Sequence, residues 1–70
     1  MYKWLLVMKN GKEYFVYHKS NTLDDLIIKL LPTQPLELKW TSFDLVNPND
    51  NFTAIAINGA DVSSIGYKTK

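Results

Sequence analysis

The residues with the chemistry of a nucleophilic site are His18, Ser20 and the neighbouring pair Asp24 and Asp25. A histidine beside a serine can act as its general base, and a carboxylate can orient the imidazole. His18 is the single histidine of the 70-residue sequence, and an exposed histidine at the end of a strand explains the same pattern. We therefore predict no catalytic residue and expect a protein that is not an enzyme.

Oxygen ligands for a hard cation are concentrated in the turn-like stretch from Asn47 to Asn51. Three carboxylates on or near turns add to them: Asp44, Asp50 and Asp61. A calcium site needs several converging oxygens, and this stretch lacks the spacing and closing glutamate of an EF-hand loop. The absence of cysteine removes the thiolate ligands of a structural zinc site. We predict neither a metal nor a cofactor.

Aromatic side chains next to lysines can stack the bases of a single-stranded nucleic acid. The sequence has such a set: Trp4, Tyr14, Tyr17, Trp40, Lys3, Lys9 and Lys12. Eight basic and seven acidic residues give a net charge of +1, however, whereas a dedicated nucleic-acid binder carries a clear basic excess. Single-strand binding through the face of Lys3, Lys9, Lys12 and Tyr14 remains the alternative function.

A hairpin from Tyr2 to His18 must position most of these residues. Asn10-Gly11 between two alternating apolar runs predicts a two-residue type I′ turn. That turn pairs Lys9 with Lys12, Val7 with Tyr14, Leu5 with Val16 and Lys3 with His18, on one side of the ribbon. The other side then carries Trp4, Leu6, Met8, Phe15 and Tyr17, with Tyr2 and Glu13 toward its ends. Because this second side is bulkier and nearly free of charge, we assign it to the core.

A helix is predicted after the hairpin. Thr22 followed by Asp25 resembles a capping box, and the apolar residues that follow fall on one stripe: Leu23, Leu26, Ile27 and Leu30. Pro32 ends the helix. A helix of this length is not stable alone and must pack on the sheet.

Further strands are predicted after the helix. Leu36–Val46 alternates with a change of parity, which predicts a bulge near Thr41-Ser42, although a sharp bend between two shorter strands gives the same pattern. A turn leads to a strand from Phe52 to Ile57, and Asn58-Gly59 marks a turn before a short fifth strand in residues 62–67. The predicted fold class is α+β, with an antiparallel sheet of four to five strands in the order ββαββ and one helix packed on one face.

The composition indicates a single domain, residues 1–70, that is soluble and cytoplasmic. The sequence has no cysteine, no apolar run long enough to span a membrane and no signal-peptide pattern. A chain of this size buries about 60% of its unfolded surface, so its stability is marginal without help. Oligomerisation or unusually good packing is therefore the expected source of additional stability.

The segment Ala56-Ile57-Asn58-Gly59-Ala60-Asp61-Val62-Ser63-Ser64-Ile65 resembles the C-termini of small uncharacterised phage and prophage proteins of Gram-positive bacteria. Those proteins often pair such an ending with an N-terminal hairpin. The resemblance implies an accessory protein of a mobile element, a class in which small binding proteins and inhibitors of host factors are common. It implies no functional residues.

We predict a non-enzymatic protein-interaction module, such as a phage-encoded accessory or host-factor-binding protein. One short helix covers one face of the sheet, so the other side of the hairpin should form an apolar surface with a lysine rim. The predicted interaction face is Leu5, Val7, Tyr14, Val16, Lys3, Lys9 and Lys12, continued by Ala54 and Ala56. A two-fold homodimer is the favoured use of this face, and a sheet that coils into a partial barrel is the alternative.

Overall fold

The computed structural model describes residues 1–34, 37–48 and 53–68. Its elements are β1 (Tyr2–Met8), β2 (Glu13–His18), α1 (Leu23–Leu30), β3 (Trp40–Leu45), β4 (Ala54–Asn58), a 3₁₀ turn (Gly59–Asp61) and β5 (Val62–Lys68). Across these residues the five strands form one antiparallel sheet in the order β4-β3-β2-β1-β5. The predicted α+β fold of one helix and up to five strands is confirmed.

The β1–β2 hairpin forms, but its register differs by one residue from the predicted one. Trp4 lies opposite Val16, and Leu5 lies opposite Phe15. A slip of one residue moves every side chain of a strand to the other face of the sheet. The predicted faces are therefore correct for β1 and wrong for β2. The core face carries Trp4, Leu6, Tyr14 and Val16, and the outer face carries Lys3, Leu5, Val7, Phe15 and Tyr17.

The hairpin loop explains the slip. Met8 N–H donates to the Lys12 carbonyl at 2.8 Å, and Gly11 N–H donates to the Met8 carbonyl at 2.9 Å. The loop therefore consists of Lys9, Asn10 and Gly11, one residue more than predicted. Gly11 has a φ of +89°, which a residue without a Cβ adopts at low cost.

The helix α1 begins and ends where the sequence predicts. Thr22 Oγ1 accepts a hydrogen bond from Asp25 N–H at 3.2 Å, and the helix ends at Leu30, two residues before Pro32. Leu26 and Leu30 are buried in the core. The helix is thus stabilised by its cap and by the apolar stripe that it packs on the sheet.

The predicted strand from Leu36 to Val46 and its bulge are wrong. Residues 37–39 lie outside any strand, β3 starts at Trp40, and Leu36 lies outside the described residues. From Trp40 onward β3 pairs with β4 in an unbroken register. The change of parity marks the start of the strand. Phe52, the predicted first residue of the next strand, also lies outside the described residues, and β4 starts at Ala54.

The sheet coils, and its shortest pairing lies between β2 and β3. In the described residues these strands pair at two positions, Val16 with Leu45 and Tyr17 with Asp44. The strands β4 and β5 nevertheless form opposite edges of the sheet while only residues 59–61 connect them. Four strand spacings in a flat sheet would separate those edges by about 19 Å, which is more than three connecting residues can span, so the sheet must coil. The coiled sheet was the alternative prediction. The core consists of Trp4, Leu6, Val16, Leu26, Leu30, Phe43 and Ile57.

Candidate binding cleft

A cleft of about 480 Å³ lies between the tip of the β1–β2 hairpin and the β3–β4 hairpin. Met8 and Tyr14 line it from the first hairpin, and residues 55–58 of β4 line it from the second. Trp40, whose side chain is 61% exposed, completes the lining together with polar residues. This volume falls in the usual range of sites that hold a ligand or the side chains of a bound peptide.

The strand β4 presents its edge to this cleft. Residues 55–58 are consecutive, and consecutive side chains point to opposite faces of a sheet. Because residues of both faces line the cleft, we interpret it as running along the edge of the strand. In the sheet order β4 is an edge strand, with β3 as its neighbour.

The hydrogen bonds of the β3–β4 ladder show which groups of β4 are left for a partner. Leu45 N–H donates to the Thr53 carbonyl and Gly59 N–H donates to the Lys39 carbonyl, both at 2.9 Å. In an antiparallel ladder bonded and non-bonded pairs alternate. Counting from these bonds, Ile55 and Ile57 bond to β3. The backbone N–H and C=O groups of Ala54, Ala56 and Asn58 point outward.

The edge of β4 lacks the usual features that prevent strand pairing. Natural edge strands are commonly protected by lysine, proline or a bulge. The strand sequence is Ala-Ile-Ala-Ile-Asn, which has no charge and no proline, and its register with β3 has no bulge. Ala54 and Ala56 are both exposed and small. A second extended chain can therefore approach this edge without a steric or electrostatic barrier from β4 itself.

The charged residues that line the cleft are of opposite sign. Lys9 and Asp61 are both exposed, and Lys9 N–H donates to the Asp61 carbonyl at 2.8 Å. This bond ties the hairpin tip to the 3₁₀ turn that follows β4. The cleft thus has a mixed polar and apolar lining, with one charged residue of each sign.

The seven residues of the predicted interaction face do not share a face. Val16 is completely buried, and Tyr14 packs against the core. Lys3, Leu5 and Val7 lie on the outer face, and the exposed Lys9 and Lys12 lie at the hairpin tip. Ala54 and Ala56 do continue the outer face, because Ala54 pairs with Asp44 and Asp44 with Tyr17. The predicted face is therefore corrected to the outer face.

The residues considered for nucleophilic chemistry lie together in a geometry that prevents it. His18 Nδ1 accepts a hydrogen bond from the Ser20 backbone N–H at 3.1 Å, so this nitrogen is not available to the Ser20 hydroxyl. Ser20 is 1% exposed, which keeps its hydroxyl away from a substrate. Trp4 Nε1–H donates to the Ser20 carbonyl at 3.2 Å. These bonds fold the segment between β2 and α1 onto the core.

His18 and Asp25 both have lowered pKa values. Burial lowers the pKa of His18, the charges of Lys29 and Lys19 lower it further, and Asp25 opposes them. The Ser20 hydroxyl is the largest cause that lowers the pKa of Asp25, although Ser20 Oγ forms no hydrogen bond of regular geometry. Lys29, whose Nζ lies 3.1 Å from Asp25 Oδ2, is the next cause. His18 is half-buried, so the expectation of an exposed histidine is wrong.

Acidification is expected to destabilise the protein through His18. Unfolded histidine takes up a proton near pH 6.5 and folded His18 does so at a lower pH. Below pH 6.5 the unfolded state then binds more protons, and the free energy of unfolding falls until the folded pKa is passed. Urea unfolding at pH 7.5 and 5.5 measures the loss. The variant His18→Asn, whose Oδ1 can still accept the Ser20 N–H, should lose less. An equal loss in both proteins would contradict the assignment to His18.

The oxygen-rich stretch from Asn47 to Asn51 lies mostly outside the described residues. Among the described residues, no group of three histidine, aspartate or glutamate side chains could hold a metal ion. Asp44 lies in β3 and Asp61 in the 3₁₀ turn, while Asp50 and residues 49–51 lie outside the described ranges. The same ranges contain no helix with the length and hydropathy needed to cross a membrane.

The cleft is a site that sequence reasoning missed. That β4 lies at an edge follows only from the strand order. No family model, no curated protein and no solved structure matches the chain. The geometry of the cleft therefore carries the functional argument.

Proposed function

We propose that the protein is a small non-enzymatic interaction module that binds an extended protein segment along the edge of β4. The observation that carries this proposal is the run of residues 55–58, which lines the cleft at a strand edge. An added strand forms main-chain hydrogen bonds with the outward groups of Ala56 and Asn58. Its alternate side chains enter the cleft beside Met8 and Tyr14 or lie on the outer side near Trp40.

The module is proposed to act in the cytoplasm as an accessory or host-factor-binding protein of a phage or prophage. The absence of cysteine supports a reducing compartment. The likeness of residues 56–65 to phage protein endings supports the origin. This segment overlaps β4 and the 3₁₀ turn, so the resemblance falls on the proposed binding edge.

Single-stranded nucleic-acid binding is the second candidate. The positions of Trp4 and Tyr14 in the structure reduce the support for it. Tyr17 lies opposite Lys3 on the outer face, which offers one aromatic ring beside one cation. Trp4 is fully buried and Tyr14 packs against the core, so neither ring is free to stack a base. A titration with labelled single-stranded DNA at two salt concentrations tests this candidate, because phosphate-driven binding weakens steeply with salt.

The variant Ala56→Pro is expected to weaken strand binding while the protein stays folded. Proline removes the outward N–H of Ala56 and no bond to β3, and an edge strand tolerates it there. A partner carbonyl left unpaired costs about 1–3 kcal/mol, or roughly 5- to 150-fold in affinity. Pull-down from the native host with the tagged chain compares wild type, Ala56→Pro and Ala56→Ser.

The serine variant keeps the N–H and serves as the control, and circular dichroism confirms that all three proteins are folded. Proteins retained by wild type and by Ala56→Ser but lost with Ala56→Pro support the proposal. Retention of the same proteins by a folded Ala56→Pro variant would contradict the proposal.

A further inference from the structure

We infer that the strand bound by the edge of β4 is β4 of a second copy of the chain, related to the first by a two-fold axis at Ala56. The inference rests on the proposed function and deepens it by naming the partner. The resulting dimer joins two five-stranded sheets into one continuous sheet.

The backbone of β4 is self-complementary about Ala56. The outward N–H and C=O groups belong to residues 54, 56 and 58, which lie symmetrically about Ala56. Antiparallel pairing of two such edges places Ala56 opposite Ala56 of the second copy and residue 54 opposite residue 58. An axis at Ile55 would pair residue 54 with residue 56 and leave residue 58 without a partner in β4, and an axis at Ile57 would leave residue 54 without one. The two-fold arrangement about Ala56 therefore satisfies all the outward groups of both strands.

The side chains of β4 repeat the same symmetry. The sequence Ile55-Ala56-Ile57 reads identically in both directions, so each Ile55 lies beside Ile57 of the second copy on the inner side of the new sheet. On the outer side Ala56 meets Ala56, and two methyl groups leave room for close pairing. Cross-strand apolar neighbours of this kind stabilise an antiparallel pair.

Trp40 gains a neighbour in this arrangement. It lies directly opposite Asn58 in the β3–β4 ladder. The next position in the same row across the sheet is Ala54 of the second copy, whose small side chain leaves space for the indole ring. The exposure of Trp40, 61% in the single chain, should fall on dimerisation.

Charge and closure also favour a second copy over other occupants. Identical edges repel each other when they carry charge, and residues 54–58 carry none. The two β4 edges cover each other, so the assembly closes at two subunits and does not extend into a fibre. A chain of 70 residues also gains the stability that its small core leaves marginal.

Light scattering on the purified full-length chain across a dilution series tests the inference. Wild type should show twice the chain mass of 8.1 kDa and dissociate on dilution. Ala56→Lys places two ammonium groups against each other at the axis, and the dissociation constant should rise at least tenfold. Ser42→Lys is the matched control, because Ser42 lies opposite Ala56 on the same face but one strand in from the edge. This control should remain dimeric.

Tryptophan fluorescence provides a second measurement in the same series. Trp4 is fully buried in the single chain, so a change of emission on dilution reports Trp40. We expect a red shift as the dimer dissociates and no shift in Trp40→Phe. A wild type that is monomeric throughout, or a dimer that Ala56→Lys and Ser42→Lys weaken equally, overturns the inference. Loss of retained host proteins with Ala56→Pro from a monomeric chain would then leave the proposed function standing with a different partner.

Discussion

Alanine in place of Gly59 is expected to prevent the chain from reaching its native fold. Gly59 is buried where the 3₁₀ turn passes the end of α1. A Cβ there would overlap the carbonyl oxygen of Leu30 and lie 2.9 Å from its carbonyl carbon and 3.3 Å from Leu31 Cα. These are backbone atoms, which cannot rotate out of the way as a side chain can. The end of the helix or the turn must therefore move.

Neither element is free to move alone. Gly59 N–H donates to the Lys39 carbonyl at 2.9 Å, and Lys39 Nζ donates to the carbonyls of Ile28 and Leu31 at 3.2 and 3.3 Å. The substitution therefore strains the contact between α1, the segment before β3 and the end of β4. Overpacking alone costs about 1–3 kcal/mol, and lost hydrogen bonds add to it. A domain of this size has about 4–10 kcal/mol in total.

The other two glycines provide matched controls for thermal unfolding. A Cβ at Gly66 would lie 3.8 Å from Leu5 Cβ, an ordinary contact, so Gly66→Ala should leave the midpoint almost unchanged. Gly11 has open space around it but a φ of +89°, so Gly11→Ala should cost about 1–2 kcal/mol. A Gly59→Ala protein with a midpoint as high as that of Gly66→Ala would contradict the close packing of the turn against α1.

The Asn-Gly pairs of the sequence show how far local patterns predict this fold. Both were correctly assigned to turns. At Asn10-Gly11 the pattern is compatible with two loop lengths, and the difference of one residue decides the face of every side chain in β2. The apolar pattern could not correct the choice, because both faces of the hairpin are apolar. At Asn58-Gly59 the requirement for glycine comes from the helix end packed against it, which a local pattern does not contain.

The helix was predictable because its cap, its apolar stripe and its terminating proline are all local. The edge position of β4 was not, since it depends on β3 pairing with β2 and on β5 crossing to the far side of β1. The cleft is lined by residues of both hairpins, so it too depends on contacts between distant segments. The faces of the β1 residues were predicted correctly. Lys3, Leu5 and Val7 lie on the outer face, and Trp4 and Leu6 lie on the core face. The alternation within one strand is reliable even where the pairing register is not.

A matched pair of lysine substitutions is expected to separate the two registers of the hairpin. Val16 is completely buried in the core, whereas Val7 lies half-buried on the outer face opposite Glu13. Val16→Lys places an ammonium group without a partner among Trp4, Leu6 and Phe43, and the loss of several kcal/mol should unfold the protein. Val7→Lys keeps its charge in contact with water and beside a carboxylate. This variant should stay folded, within about 1 kcal/mol of wild type.

Far-UV circular dichroism and urea unfolding of the two variants measure the difference. In the register that a two-residue turn would give, Val7 and Val16 share one face, and lysine at either position should then have a similar effect. In the register of the structure the two positions lie on opposite faces, and their effects should differ by most of the stability of the domain. Equal stability of Val16→Lys and Val7→Lys would therefore argue against the three-residue loop. A folded Val7→Lys protein beside an unfolded Val16→Lys protein would confirm that Val16 belongs to the core, where an interaction partner cannot reach it.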